Sequence, residues 1–128
     1  MKLSRIQELL RATMISEQGG DDPDIKYAKA SDLMSDVLAL SQAFSDRNTL
    51  LITGLTNKQV VRTCEISGIR AIVFVRGKNP RADTIELARQ CNITLLACKL
   101  RMFEACGILH NSGILAPAGP CGDPRNAR

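Results

Sequence analysis

Three strand-like runs, Thr49–Thr53, Ala71–Val75 and Thr94–Cys98, stand in series, and each is followed by a helix-like segment. Strands that alternate with helices of about a dozen residues make βαβ units, and such units make a parallel sheet covered by helices. The fold class that follows is a single α/β domain with a mainly parallel sheet. In sheets of this kind ligands bind beyond the carboxyl ends of the strands, at a switch point in strand order. The turns that begin at Thr53, Val75 and Cys98 are therefore the place to look for a site.

Charge points to the same turns. Between Arg76 and Arg101 the charged residues are Arg76, Lys78, Arg81, Asp83, Glu86, Arg89, Lys99 and Arg101, a balance of +4 that equals the formal charge of the whole chain. The basic residues are interspersed, with no run of the kind that binds nucleic acid. Trp is absent and only Tyr27, Phe44, Phe74 and Phe103 are aromatic. The core is then aliphatic, and a platform for stacking single-stranded nucleic acid is not expected.

A length of 128 residues suits one domain, large enough to bury roughly two thirds of its unfolded surface. Residues Leu3–Ala12 read as a helix with Leu3, Ile6, Leu9 and Leu10 on one stripe, opened by a capping box of Ser4 and Gln7. Two short strands, Thr13–Glu17 and Ile25–Ala28, flank the turn Gly19–Pro23 and are expected to pair as a hairpin. Ser31 is the expected cap of a helix reaching Ser41, with Leu33, Val37 and Leu40 inward, and residues 43–48 link it to the first βα unit. In the following helices Asn57 caps, Val60, Val61 and Cys64 face inward, and Gly68 ends the element. Asn79 is expected to cap the next helix with Pro80 in its first position, and Ile85, Ala88 and Cys91 inward. The last helix, Leu100–His110, presents Met102, Phe103, Cys106 and Leu109 to the core, with Gly107 allowing close packing. The domain spans residues 1–114, and the Pro- and Gly-rich segment 115–128 is a flexible tail.

No signal peptide is evident, and no apolar stretch approaches the ~20 residues of a membrane span. A cytoplasmic protein is expected. Cys64, Cys91, Cys98, Cys106 and Cys121 are odd in number and lack close pairs, which fits reduced thiols.

Several residue groups resemble the DRTGG domain family: Tyr27–Val37, Ala71–Pro80, Ile85–Ala88, Ile93–Leu96 and Lys99–Glu104. The likeness runs from about Lys2 to Ile114. DRTGG domains occur in regulatory segments of some phosphotransacetylases, beside CBS-domain pairs and as short separate proteins, and they are similar to the N-terminal domain of HPr kinase/phosphorylase. Some short members are encoded near iron-only hydrogenase genes. The resemblance implies a three-layer α/β/α domain that forms homo-oligomers and has no accepted activity of its own. The family's Thr-Gly-Gly falls on Val75, Arg76 and Gly77, and its Asp-Arg pair on Leu55 and Thr56; only Gly77 agrees.

The candidate ligand-binding residues are Thr53, Gly54, Thr56, Asn57, Arg76, Gly77, Lys78, Arg81, Lys99 and Arg101. Helix N-termini offer N–H groups and partial positive charge, and arginine adds a two-pronged donor, so a phosphate or carboxylate is favoured there. A solvated basic surface explains the same residues without a ligand. The chain has no Gly-x-Gly-x-x-Gly and no Gly-x-x-x-x-Gly-Lys-Ser/Thr, so dinucleotide and P-loop binding lack their usual signature.

Cys106 and His110 share a helical face near Cys98, but a metal needs three or four convergent ligands and a Cys/His catalytic pair needs a third orienting group. No metal, cofactor or catalytic residue is expected. Asp21, Asp22 and Asp24 suit a turn. Ser31, Asp32, Ser35 and Asp36 suit a helix start, and a polar contact to a ligand or neighbouring subunit is the alternative. The sequence supports a non-catalytic, ligand-sensing regulatory domain with an anionic small molecule at the basic turns. The alternative is a protein-interaction adaptor, with a redox or hydrogenase-related partner. Neither nucleic acid nor membrane is an expected partner.

Overall fold

Every residue of the three central strands, Thr49–Thr53, Ala71–Phe74 and Thr94–Ala97, is buried. A strand covered by helices on both faces requires this. The computed structural model describes residues 1–17, 19–20, 22–41 and 48–117, with the side chains of 39–41 set aside. Its elements run α1 (Leu3–Leu10), β1 (Thr13–Ser16), β2 (Tyr27–Ala30), α2 (Met34–Ser41), β3 (Thr49–Thr53), α3 (Lys58–Ser67), β4 (Ala71–Phe74), α4 (Ala82–Gln90), β5 (Thr94–Ala97) and α5 (Met102–Asn111).

The five strands form one sheet in the order β1-β5-β4-β3-β2. β2, β3, β4 and β5 are parallel, and β1 runs antiparallel along β5. Side chains alternate across the pleat. Leu50, Ile52, Ala71, Val73, Val75 and Leu96 pack against Leu3, Ile6 and Leu10 of α1 and against Ala105 and Leu109 of α5. Leu51, Ile72, Phe74, Leu95 and Ala97 pack with Met34 and Val37 of α2, with Val60, Val61 and Cys64 of α3, and with Ala88 of α4. This is the expected three-layer α/β/α arrangement.

The expected hairpin is not formed. Both short strands exist, but β1 lies at one edge of the sheet and β2 at the other, two residues later than predicted. β2 is followed by a crossover helix into β3, so it adds a fourth βαβ strand that pairs in parallel with its successor. The connection between β1 and β2 crosses the amino ends of the other strands and is tied to α1, with Leu3 N–H donating to the Pro23 carbonyl at 3.0 Å.

Several local expectations are also corrected. Ser4 and Gln7 form no capping box: Lys2 precedes α1 without a side-chain cap. Asp22 serves instead, accepting from the Ser4 N–H at 2.9 Å and the Ser4 hydroxyl at 2.6 Å. Ser31 accepts from Leu33 N–H in a local turn, so α2 begins only at Met34, and Leu33 is left 57% exposed. α4 starts after Arg81 rather than at Pro80, which is buried in the approach to the helix. In α5, Ala105 and Leu109 face the core, which puts Phe103 outward at 88% exposure. A Cβ built on Gly107 would meet nothing within 4 Å, so no helix packs closely there.

α3 matches its prediction: Asn57 Oδ1 accepts from Val60 N–H, and Gly68 ends the helix at φ 82°. Beyond α5 the chain follows the β2 edge, with Leu115 N–H donating to Lys26 and Ala28 N–H donating to Leu115. Residues 43–47 of the expected link and 118–128 of the expected tail, including Cys121, lie outside the described residues, as does Asp21.

Candidate functional site

Crossover helices α2, α3 and α4 lie on one face of the sheet, while α5 turns to the opposite face. From β2 to β5 the strand order is monotonic, so it does not reverse. What the topology offers instead is a divergence between β4 and β5, where one chain exit turns to each face. Backbone closes that gap. Arg76 N–H donates to the Leu100 carbonyl at 2.8 Å and Gly77 N–H to the Cys98 carbonyl at 2.9 Å. To make both bonds, Arg76 and Gly77 adopt positive φ, 64° and 67°, in a turn whose Lys78 N–H reaches the Val75 carbonyl. Two positive φ values at the centre of a turn suit glycine, asparagine or aspartate, so an arginine there is held against its preference.

The turn after β3 is built around a residue that sequence reasoning left at a helix start. Asp32 follows β2, and its Oδ1 accepts from the Gly54 N–H at 2.7 Å and from the Thr53 hydroxyl at 3.0 Å. Thr53 is fully buried, and its Oγ1 also accepts from the Leu55 N–H. On the other side of Gly54 lies the Arg76 guanidinium: a Cβ on Gly54 would collide with Nη2 and approach Cζ to 3.1 Å. Glycine thus lets the Arg76 guanidinium lie against this turn, and a larger residue at position 54 would displace that flexible side chain. Nothing in the one-dimensional pattern could show the Asp32 contact, because it depends on β2 lying beside β3.

The expected site residues therefore divide. Thr53, Gly54 and Gly77 have their donors occupied within the protein, and Asn57 is the cap of α3. The Thr56 carbonyl accepts from the buried Thr84 hydroxyl at 3.0 Å, tying this loop to α4. Arg81 stands 3.9 Å from Asp83. Exposed Arg76, Lys78, Lys99 and Arg101 form no ion pair among the described residues. Arg101 precedes α5, where its N–H donates to Glu104 at 3.2 Å. The first-turn N–H groups of α4 and α5 open on the same edge, and such groups have no partner inside their own helix. The geometry can hold an anion through long cationic side chains and helix amides, while the amides of Gly54, Leu55, Arg76, Gly77 and Lys78 are already bonded within the protein.

No other chemistry gathers here. Among the described residues no three His, Cys, Asp or Glu side chains converge on a metal position. Burial raises the Cys98 and Cys106 thiols above their ordinary pKa, and burial together with Glu65 pushes Cys91 up to about 11. These thiols are protonated at neutral pH and are poor nucleophiles. Nor is any described helix long and apolar enough to cross a membrane.

Neither a family model nor a curated protein matches the sequence. Among solved structures, the fold is similar to the CBS and DRTGG domains of the regulatory region of Clostridium perfringens pyrophosphatase, determined in complex with the activator diadenosine tetraphosphate. The TM-score is 0.69 at 18% identity, over 88% of this chain and 47% of that one. The chain thus spans about half the length of that regulatory region, and the likeness is one of fold. Leu55–Thr56 and Val75–Gly77, the segments on which the sequence resemblance would place the DRTGG signature, follow β3 and β4 at the carboxyl edge of the sheet.

Proposed function

We propose that this chain is a non-catalytic regulatory domain of the DRTGG type, cytoplasmic and homo-oligomeric, that senses a small anionic ligand at the carboxyl edge of its sheet. One observation carries the reading: Arg76, Lys78, Lys99 and Arg101 stand at the carboxyl edge, by the amide-bearing starts of α4 and α5, with no ion pair to any of the described residues. Four unneutralised cations on one edge favour phosphate or a nucleotide. The ligand class is supported by the pyrophosphatase regulatory region, which holds a nucleotide polyphosphate. Because the contacts come mainly from exposed side chains, affinity falls steeply with salt.

The test is a thermal-shift series against ATP, GTP, tripolyphosphate, acetyl phosphate, inorganic phosphate and sulfate. A salt-sensitive rise in Tm, lost in Arg76→Ala/Lys78→Ala, supports the reading. A flat response to all six compounds removes it. The adaptor reading draws on a different observation, the exposure of Leu33 at 57% and Ile66 at 74% beside and on the α2/α3 layer. Retention of a specific partner by the wild type and not by Ile66→Ser would support that reading.

A further inference from the structure

Phe103 is 88% exposed, while Phe74 is fully buried. It stands in the first turn of α5, two residues after Arg101 and three after Leu100, whose carbonyl accepts the Arg76 N–H. Side chains on a helix lean toward its N-terminus, so the residue at i+4 is the one placed to cover a ring at i. For Phe103 that residue is Gly107, which has no side chain to offer. Gly107 has no left-handed φ, and a Cβ there would touch nothing, so neither backbone nor packing explains it. Glycine inside a helix costs about 0.5–1 kcal/mol relative to alanine. The result is an aromatic face left open two residues from Arg101, on the entry to α5 whose Leu100 carbonyl accepts from the Arg76 N–H.

We propose that Phe103 is a base-stacking platform, so that the ligand of the basic edge is a nucleotide whose base lies on Phe103 and whose polyphosphate extends toward Arg101, Lys99 and Arg76. The inference rests on the anion-binding reading and adds to it the base. A single aromatic suits a single base and not a strand of nucleic acid. The polyphosphate by itself gains only screened contacts with flexible side chains, and stacking supplies the discrimination those contacts lack. A second copy of this chain or an acidic protein segment seated on Phe103 would be a different occupant.

The chain contains no Trp, so Phe103→Trp makes a single fluorescent reporter on this face. The experiment titrates ATP, GTP and tripolyphosphate into wild type, Phe103→Trp and Phe103→Ala, following binding calorimetrically and emission in the Trp variant. At least one nucleotide is expected to bind about fivefold to a hundredfold more tightly than tripolyphosphate, the range of one base–aromatic stack. It should quench the Trp, and Phe103→Ala should reduce it to the tripolyphosphate level while leaving tripolyphosphate unchanged. Equal affinity for all three ligands without quenching overturns the stacking proposal and leaves the anion site standing. Binding of none of them overturns both. A ligand-independent blue shift that grows with protein concentration, together with a doubled mass in light scattering, assigns Phe103 to a second copy and also overturns the proposal. Saturable quenching by an acidic peptide, with none by nucleotides, does so in favour of a protein partner. Unchanged Tm in both variants shows that the fold is intact, as the exposure of Phe103 requires.

Discussion

At the amino edge of the sheet the chain leaves a hollow of ≈ 790 Å³, lined by Lys2, Asp22, Asp24, Arg70, Asn92 and Thr94 among others. Both aspartates there already hold α1 or the N-terminal ammonium, at 2.6–2.9 Å. At the carboxyl edge backbone fills the divergence between β4 and β5, yet four cations have no ion pair among the described residues. The two ends thus differ in balance: the hollow sets Lys2 and Arg70 beside Asp22 and Asp24, whereas the carboxyl edge gathers Arg76, Lys78, Lys99 and Arg101 and has a hollow of ≈ 560 Å³ of its own beside Lys99. The amino-edge hollow arises because the β1–β2 connection must cross from one edge strand to the other, and its acids are used in holding that crossing to α1. The rim arises where exits from β4 and β5 part company. For an anion the balance of charge outweighs volume, because the two carboxylates of the amino-edge hollow oppose a negative ligand while the carboxyl edge carries more cations.

The largest effect expected from this contrast is in ligand-induced stability. At a hundred times Kd an anion adds about 2.7 kcal/mol, and Arg76→Ala/Lys78→Ala should remove all of it. Lys2→Ala/Arg70→Ala, at the amino edge, should leave it intact. The reverse pattern in a thermal-shift titration would move the site to the large hollow.

Thr84→Val comes next. It strands the Thr56 carbonyl at a fully buried side chain, and losing such a partner costs about 1–3 kcal/mol. Urea denaturation measures this, and a change near zero would mean that the carbonyl finds another donor. Gly107→Ala should stabilise the protein by about 0.5–1 kcal/mol while weakening nucleotide binding by narrowing access to Phe103. A stabilised variant with unchanged nucleotide affinity would separate Gly107 from the ligand. Asp32→Asn keeps acceptors for Thr53 and Gly54 but removes a negative charge from beside Arg76. Anion affinity should rise by about fivefold at most, the scale of a surface charge contact, and calorimetry would show a fall if Asp32 instead helps to hold the ligand.

The smallest effect belongs to the amino edge and to acid pH. The Ser4 hydroxyl, and then the Ser4 N–H, hold Asp22 below its ordinary value of 3.8. A carboxyl depressed by folding adds stability above its unfolded pKa, and that stability is lost as pH falls through the lower folded value. Melting temperature should therefore decline below pH 3.8, with Asp24 contributing in the same window and Glu86, depressed from 4.5, from slightly higher pH. Asp22→Asn should lower Tm slightly at neutral pH and make the acid decline shallower. An unchanged acid profile would show that the Ser4 contacts add nothing.

The three central strands, the cap and end of α3, and the cationic edge were all legible in order along the chain, because strand period, capping chemistry and turn residues are local properties. Phe103 was misplaced for a related reason. Its spacing to Cys106 fits an apolar stripe, and only the sheet surface decides that Ala105 and Leu109 define the inner line. The hairpin between β1 and β2 was misread because turn residues report a change of direction and not the edge to which the chain returns.

Sequence by itself determined that this protein is a helix-covered, mainly parallel sheet with its surplus positive charge in the turns after the strands. Hydrophobic period and charge position are written residue by residue. Tertiary structure alone decided that β2 lies beside β3, so that Asp32 reaches Gly54 across a gap of 22 residues at 2.7 Å. It also decided which amides are spent, which cations stay unpaired and that Phe103 faces outward. Each of these depends on pairing between segments distant in the chain, where strand order and helix side set the partners and local preference does not.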